Sequence, residues 1–264
     1  MIKEIRALSR GIDVLRALNQ KHVSSVVDLA AATGLSRATV HRMIQTLVES
    51  GIARRIPRSG LVSLTAAATE LGSGYNDVTR AIELIEPLTE TLTNEVHWPI
   101  DIHEISNGAS IVRGSTTAVS PMCPFQTDPG TCLPILGSAG GRAIVATLSD
   151  ADRELVISEA TRRWECDARI AATPGAIDGM ITNMRNRGYA FRVGGYEPQT
   201  FSIALPVRQN GKPIIAVSMI FFRRALTVDQ AAQRYLSMLK EMIESVESEL
   251  ATLNRPGNDG GRLV

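Results

Sequence analysis

The sequence predicts an α+β chain in two parts: a small helical head closed by a β-hairpin, then a larger body built on an antiparallel sheet. Three observations carry that reading. Apolar residues recur at helical spacing through the first fifty residues, then give way to two short extended runs around Pro57-Arg58-Ser59-Gly60. From Trp98 onward extended and helical runs alternate, with Asn107-Gly108 and Asn210-Gly211 each marking a tight turn between two strands. The charge is unevenly divided: residues 1–60 hold ten Lys/Arg against four Asp/Glu, net +6, while the remainder carries −5. A basic head on an acidic body suits a polyanionic partner at one end only.

In the head, Leu8, Ile12, Leu15 and Leu18 predict a first helix over 7–20 with those residues on its apolar side. Ser25-Val26-Val27-Asp28 has the form of a capping box for a short second helix through Leu29, Ala30 and Ala31. Gly34 is placed to end that helix in a left-handed conformation, and Ser36 to cap the third. Val40, Met43, Ile44, Leu47 and Val48 form one stripe of the third helix, leaving Arg37, Thr39, His41, Arg42 and Gln45 outside it. Two short helices joined by a Gly turn, the second opening polar and basic, match a helix-turn-helix whose second helix enters the DNA major groove. Ile52–Ile56 and Leu61–Leu64 then form a wing that offers Arg54, Arg55 and Arg58 to phosphates. A winged helix-turn-helix over 1–66 is the result.

Residues 67–94 read as a helical linker, interrupted near Gly72-Ser73-Gly74 and disturbed at Pro87. Its stripe of Ile82, Ile85, Leu88 and Leu92 serves either a dimer contact or packing within its own domain. The body over 95–254 pairs Trp98–Ile105 with Ala109–Ser115 and continues through an irregular stretch over 117–136. Helices follow at Ser138–Leu148, after the Ser149 cap, and at Ala176–Arg187. Strands at Tyr189–Val193, Phe201–Arg208 and Pro213–Phe222 precede a long helix capped by Thr227. Residues 255–264 read as a disordered tail.

Composition narrows the function. With 44% hydrophobic and 21% charged residues and no run of roughly 18 apolar residues, the chain reads as a cytoplasmic globular protein without a membrane span. Cys123, Cys132 and Cys166 are odd in number and lack metal-site spacing, so neither a disulfide framework nor a metal or cofactor is expected. An enzyme is disfavoured because no nucleophile–base–orienter pattern is visible, and His97 and His103 stand outside any motif. A purely protein-binding module leaves the basic wing without a purpose.

Leu29-Ala30, Gly34-Leu35-Ser36, Thr39-Val40-His41-Arg42, Leu47 and Gly51 resemble, in order and spacing, the head of the IclR family of bacterial transcriptional regulators. The run Pro134 to Ala146, Arg187-Gly188-Tyr189 and Ile203-Ala204-Leu205-Pro206-Val207 are similar to landmarks of that family's body. Leu136 stands where the family has His, and Arg142 where it has Lys. The resemblance implies a GAF-like effector-binding domain, no enzymatic activity, homodimers or dimers of dimers on a double-stranded DNA operator, and a small-molecule effector. It also implies a pocket lined by Met122, Phe125 and Leu133, by Ala139 and Gly140 at a helix start, and by Arg192, Ser202 and Ser218. At Arg192 the family often has an acid, so this residue favours an anionic effector. Val96-His97-Trp98-Pro99-Ile100-Asp101 and the run from Ala225 to Ala232 resemble activators of phenylpropanoid-type aromatic acid degradation, which implies an aromatic carboxylic acid and catabolic target genes.

Overall fold

The computed structural model describes residues 4–72, 75–123 and 125–253. The expected tail at 255–264 lies outside them. The chain divides into two compact units, Met1–Asn76 and Asp77–Val264.

The smaller unit runs α1 (Arg6–Lys21), β1 (Val23–Ser24), α2 (Val26–Thr33), α3 (Arg37–Glu49), β2 (Ala53–Arg55), β3 (Val62–Leu64) and α4 (Ala67–Glu70). The capping box at α2 is complete: Ser25 Oγ accepts from the Asp28 N–H at 3.2 Å, and Asp28 Oδ2 accepts from the Ser25 N–H at 3.1 Å. Gly34 ends α2 at φ 68°, a conformation free of strain only without a side chain. The core is closed by Val14, Ala17, Leu18, Leu29, Val40, Ile44, Ala53 and Val62. The first helix departs from expectation here. Leu8 and Ile12 are exposed, and α1 instead buries Val14, Ala17 and Leu18, because only the end near α2 and α3 has neighbours to pack on. The wing also gains a strand: β1 pairs antiparallel with β3, giving the order β1-β3-β2.

The larger unit begins with α5 (Asp77–Val96). Of the two uses open to its apolar stripe, α5 shows packing within its own unit: Ile82, Ile85 and Leu92 are buried in that core. Pro87 sits inside α5 without ending it. Next come β4 (Ile100–Ser106), β5 (Ala109–Ser115), β6 (Cys132–Leu133), α6 (Ala139–Val145), α7 (Asp150–Arg163), α8 (Glu165–Ala172) and α9 (Ala176–Arg187). The chain closes with β7 (Ala190–Val193), β8 (Thr200–Gln209), β9 (Lys212–Phe222) and α10 (Val228–Leu253). Two elements went unread: β6, too short for a periodicity, and α8, separated from α7 only by the extended Trp164. Among the described residues no helix is long and apolar enough to cross a membrane.

The strands form one antiparallel sheet, ordered β6-β5-β4-β9-β8-β7. Strand alternation gives it two unlike faces. One presents Ile100, Ile102, Ile203, Leu205, Val217, Met219 and Phe221, all buried, with α5 and α10 packed on the sheet. The other, under α6, presents smaller and polar side chains. The hairpin tip at Asn107-Gly108 docks on α7: Arg163 donates to the Asn107 carbonyl at 2.8 Å, and Trp164 Nε1 to that of Gly108 at 3.1 Å. Gly108 has φ 68°, and a Cβ there would stand 2.8 Å from the Glu159 carbonyl oxygen. Gly108→Ala is therefore expected to lower stability by about 1–3 kcal/mol, read from the urea midpoint. An unchanged midpoint would show that the hairpin tip can shift freely.

Candidate functional site

In the smaller unit, α3 is built to present one face. Val40 and Ile44 are fully buried, so Arg37, His41, Arg42 and Gln45 point outward and are exposed. Ser36 fixes the start: its Oγ accepts from the Thr39 N–H at 3.2 Å and lies 2.9 Å from Thr39 Oγ1. The wing approaches the same face. Arg55 Nη2 lies 3.4 Å from Gln45 Oε1 and 3.5 Å from His41 Nε2, long contacts that join the wing's cation to the helix. Arg54 and Arg58 are exposed beside it, Arg58 at φ 63° in the wing turn. The nine side chains expected at this surface, Ser36 included, thus fall on α3 with its cap and on the adjoining wing.

In the larger unit, the face under α6 carries Asp101 and His103 (β4), Ser110 and Ser115 (β5), Ser218 (β9), Thr200 and Ser202 (β8), and Arg192 (β7). Except for half-buried Ser115, all are buried. His103 lies between two hydroxyls, Nε2 at 2.8 Å from Ser218 Oγ and Nδ1 at 3.2 Å from Ser110 Oγ. Ser115 Oγ donates to Asp101 at 2.7 Å. Gly140, at the start of α6, comes so close that a Cβ would meet the His103 ring at 2.4 Å. Residues 135–137, just before α6, are held from two sides. Asp167 accepts from the N–H groups of Ile135, Leu136 and Gly137 at 2.8, 3.1 and 3.1 Å. Arg142 donates to the carbonyls of Leu136 at 2.6 Å and Phe191 at 2.8 Å. Among the described residues no cluster of three or more His, Cys, Asp or Glu side chains is placed to hold a metal.

Residues 7–57 match the IclR helix-turn-helix domain, and residues 75–248 match the bacterial transcriptional regulator IclR C-terminal domain. The chain belongs to the IclR family. It is accordingly a DNA-binding transcriptional regulator and not an enzyme. It is 23% identical over 194 residues to the transcriptional repressor IclR of Escherichia coli strain K12, covering 71% of this chain and 69% of that protein. To the glycerol operon regulatory protein of Streptomyces coelicolor it is 27% identical, over 83% of this chain and 85% of that one. Among solved structures it is similar to an IclR homologue of Microbacterium hydrocarbonoxydans complexed with 4-hydroxybenzoate, with TM-score 0.51 at 20% identity, covering 93% and 99% of the two chains. An IclR family regulator of Brucella abortus matches with TM-score 0.53 at 20% identity, covering 94% and 93%.

Both departures from the family's pattern have a local cause. Leu136, at the family's His, is fully buried in a small apolar cluster with Ile135, Val145 and Ala160. Arg142, at the family's Lys, uses its fork to tie the 136 carbonyl to β7. Of the expected lining, Arg192, Ser202, Ser218, Ala139 and Gly140 gather on or against the polar face, and Leu133 pairs with Ser110 at its edge. Met122, by contrast, is 44% exposed in the irregular segment between β5 and β6, where Phe125 is half-buried. Arg192 is only 1% exposed, and its guanidinium is largely engaged. Nη1 donates to the carbonyls of Gly194, Glu197 and Thr200, and Nη2 to Thr200 Oγ1 at 2.7 Å. The Tyr196 ring centroid lies 4.7 Å from it. The arginine expected to favour an anion thus also clamps the β7–β8 turn, with Nε left without a partner among the described residues. Asp101 and His103 were missed as site residues. Their signal was the alternation of small and polar residues at Thr200, Ser202, Ala204 and at Ala216, Ser218.

Burial sets the charge of this face. It raises the Asp101 carboxyl to about 7, against the pull of Ser115 and Arg192, and lowers His103 to about 4. The signs oppose. Asp101 contributes stability below its unfolded value of 3.8 that is lost as pH rises through 7. His103 contributes stability above 6.5 that is lost as pH falls through 4. Between about pH 4 and 6.5 each slope reaches at most about 1.4 kcal/mol per pH unit, and the two offset. Relative to wild type, Asp101→Asn is expected to make stability rise more steeply with pH in that window, and His103→Gln to make it fall. Urea unfolding at pH 4.5 and 6.5 reads both; parallel profiles for all three proteins would refute the assignment.

Proposed function

We propose that this IclR-type regulator reads its operator with α3 and the β2–β3 wing, and that a small carboxylic acid, aromatic in character, binds the polar face of the larger unit to switch that activity. The carrying observation is the outward set Arg37, His41, Arg42 and Gln45 on a capped helix, flanked by Arg54, Arg55 and Arg58. Phosphate contacts from the wing hold the register, and the start of α3 meets base edges. Buried hydroxyls and one arginine on the same sheet face suit a carboxylate, and the 4-hydroxybenzoate held by the Microbacterium homologue supports an aromatic acid. Leu8 and Ile12 on α1, with Ile5 just ahead of it, are exposed and support a homodimer whose two heads meet half-sites about 34 Å apart, with dimers of dimers as the larger assembly. Catabolic genes for such acids are the natural targets, and the cytoplasm the place of action.

Ligand coupling of about 1–3 kcal/mol changes operator affinity roughly five- to 150-fold. Two measurements test the reading. Fluorescence anisotropy with operator DNA from 50 to 200 mM salt should give a steep negative slope of affinity against salt. A thermal-shift series of aromatic acids should raise the melting temperature through mass action. A response to aliphatic keto acids with none to aromatic acids would overturn the aromatic assignment and leave the DNA-binding one standing.

A further inference from the structure

The polar face has two distinct ends. Asp101 on β4 and Arg192 on β7 stand three strand spacings apart, about 14 Å at backbone level for roughly 4.8 Å per strand. Between them the floor is made of small side chains, Ser202 and Ala204 from β8 and Ser218 from β9. At the Arg192 end, Nε is buried and has no hydrogen-bond partner among the described residues. At the Asp101 end, Thr127 Oγ1 is in the same condition, in a residue 6% exposed. The Thr127 backbone is tied to the Asp101 end through a chain of contacts. Its N–H donates to Thr117 Oγ1 at 3.2 Å, Thr117 Oγ1 lies 3.0 Å from Ser115 Oγ, and Ser115 donates to Asp101. Two buried orphans at opposite ends of a small-residue floor are costly unless something meets them.

Resting on the effector-site reading above, we propose that this face selects an acid that also carries a hydroxyl group, oriented with its carboxylate toward Arg192 Nε and its hydroxyl between Asp101 and Thr127. The orientation follows from charge. A carboxylate placed at the other end would face the Asp101 carboxyl, whereas Arg192 offers a charged N–H donor. The hydroxyl can donate to an Asp101 oxygen and accept from Thr127 Oγ1, which satisfies both groups at once. An acid lacking the hydroxyl leaves them unmet, and a site built to hydrogen-bond a hydroxyl discriminates strongly against the analogue without it. Asp101 is then the residue that decides specificity.

Calorimetry on the full chain with two matched pairs, 4-hydroxybenzoate against benzoate and 3-(3-hydroxyphenyl)propionate against 3-phenylpropionate, tests this. At least one hydroxy acid should bind about tenfold or more tightly than its partner. Asp101→Ala should bring that pair within about twofold. Asp101→Asn, which keeps an acceptor oxygen, should retain most of the preference. Thr127→Val, a nearly isosteric change, should weaken only the hydroxy member by several-fold and serves if Asp101→Ala does not fold. Equal affinities within both pairs, or a preference that survives Asp101→Ala, overturns the proposal. Ser202→Leu, which fills the floor, separates this from failure of the underlying reading. If it leaves binding intact, or if no pair member binds wild type, the effector site itself is misplaced and the proposal falls with it.

Discussion

Replacing Asp167 with alanine is expected to lower stability by about 4 kcal/mol. The loss comes from three backbone N–H groups, those of Ile135, Leu136 and Gly137, that its carboxylate satisfies in an almost dry setting. Each buried donor left unmet costs about 1–3 kcal/mol, and Gly137 is near enough to the surface to recover part of its share from water. Asp167→Asn should cost less. One oxygen can still serve Leu136 and Gly137, which share Oδ1, while the new amide opposes only the Ile135 donor. Chemical denaturation orders the three proteins as wild type, Asp167→Asn, Asp167→Ala. Equal midpoints for wild type and Asp167→Ala would mean that the segment finds other acceptors. Because the same segment delivers Ala139 and Gly140 to the polar face, both variants should also weaken effector binding.

Arg42→Ala should weaken operator binding about ten- to a hundredfold, equivalent to roughly 1–3 kcal/mol, the range for one base-contacting arginine. The side chain projects from the second turn of α3 into solvent, so its loss leaves the core untouched and the melting temperature within about a degree of wild type. Arg58→Ala is the contrasting case. A wing phosphate contact adds equally to all sequences, so affinity for operator and random DNA should fall together and the salt slope flatten by about 0.9. Anisotropy titrations with operator and scrambled duplexes distinguish the two patterns. Undiminished operator affinity in Arg42→Ala at physiological salt would remove α3 as the reading helix.

The head was legible because its signals are local. Ser25 with Asp28, Gly34 and Ser36 act within four residues: the caps make the bonds their spacing implies, and Gly34 takes the left-handed conformation. Leu8 and Ile12 misled for the complementary reason: helical spacing identifies an apolar side but not what lies against it. In the body, the Asn-Gly turns and the caps at Ser149 and Thr227 placed most elements within two residues. The site was less legible. Its decisive contacts join residues far apart in sequence, such as Asp167 with Ile135 or His103 with Ser218, and no window of sequence contains both partners. Arg192 shows the limit most clearly. Its identity suggested an anion ligand, but the carbonyls of Gly194, Glu197 and Thr200 claim most of its donors, which only the path of the turn reveals.

The side chains that close the small unit's core all lie between Val14 and Val62. Among the described residues, the buried side chains of that core all come from the small unit itself. A stretch so self-contained can be transplanted. Joined ahead of the sensing half of another family member, it should carry its operator preference into the hybrid, so that promoter choice and inducer choice become separately exchangeable parts.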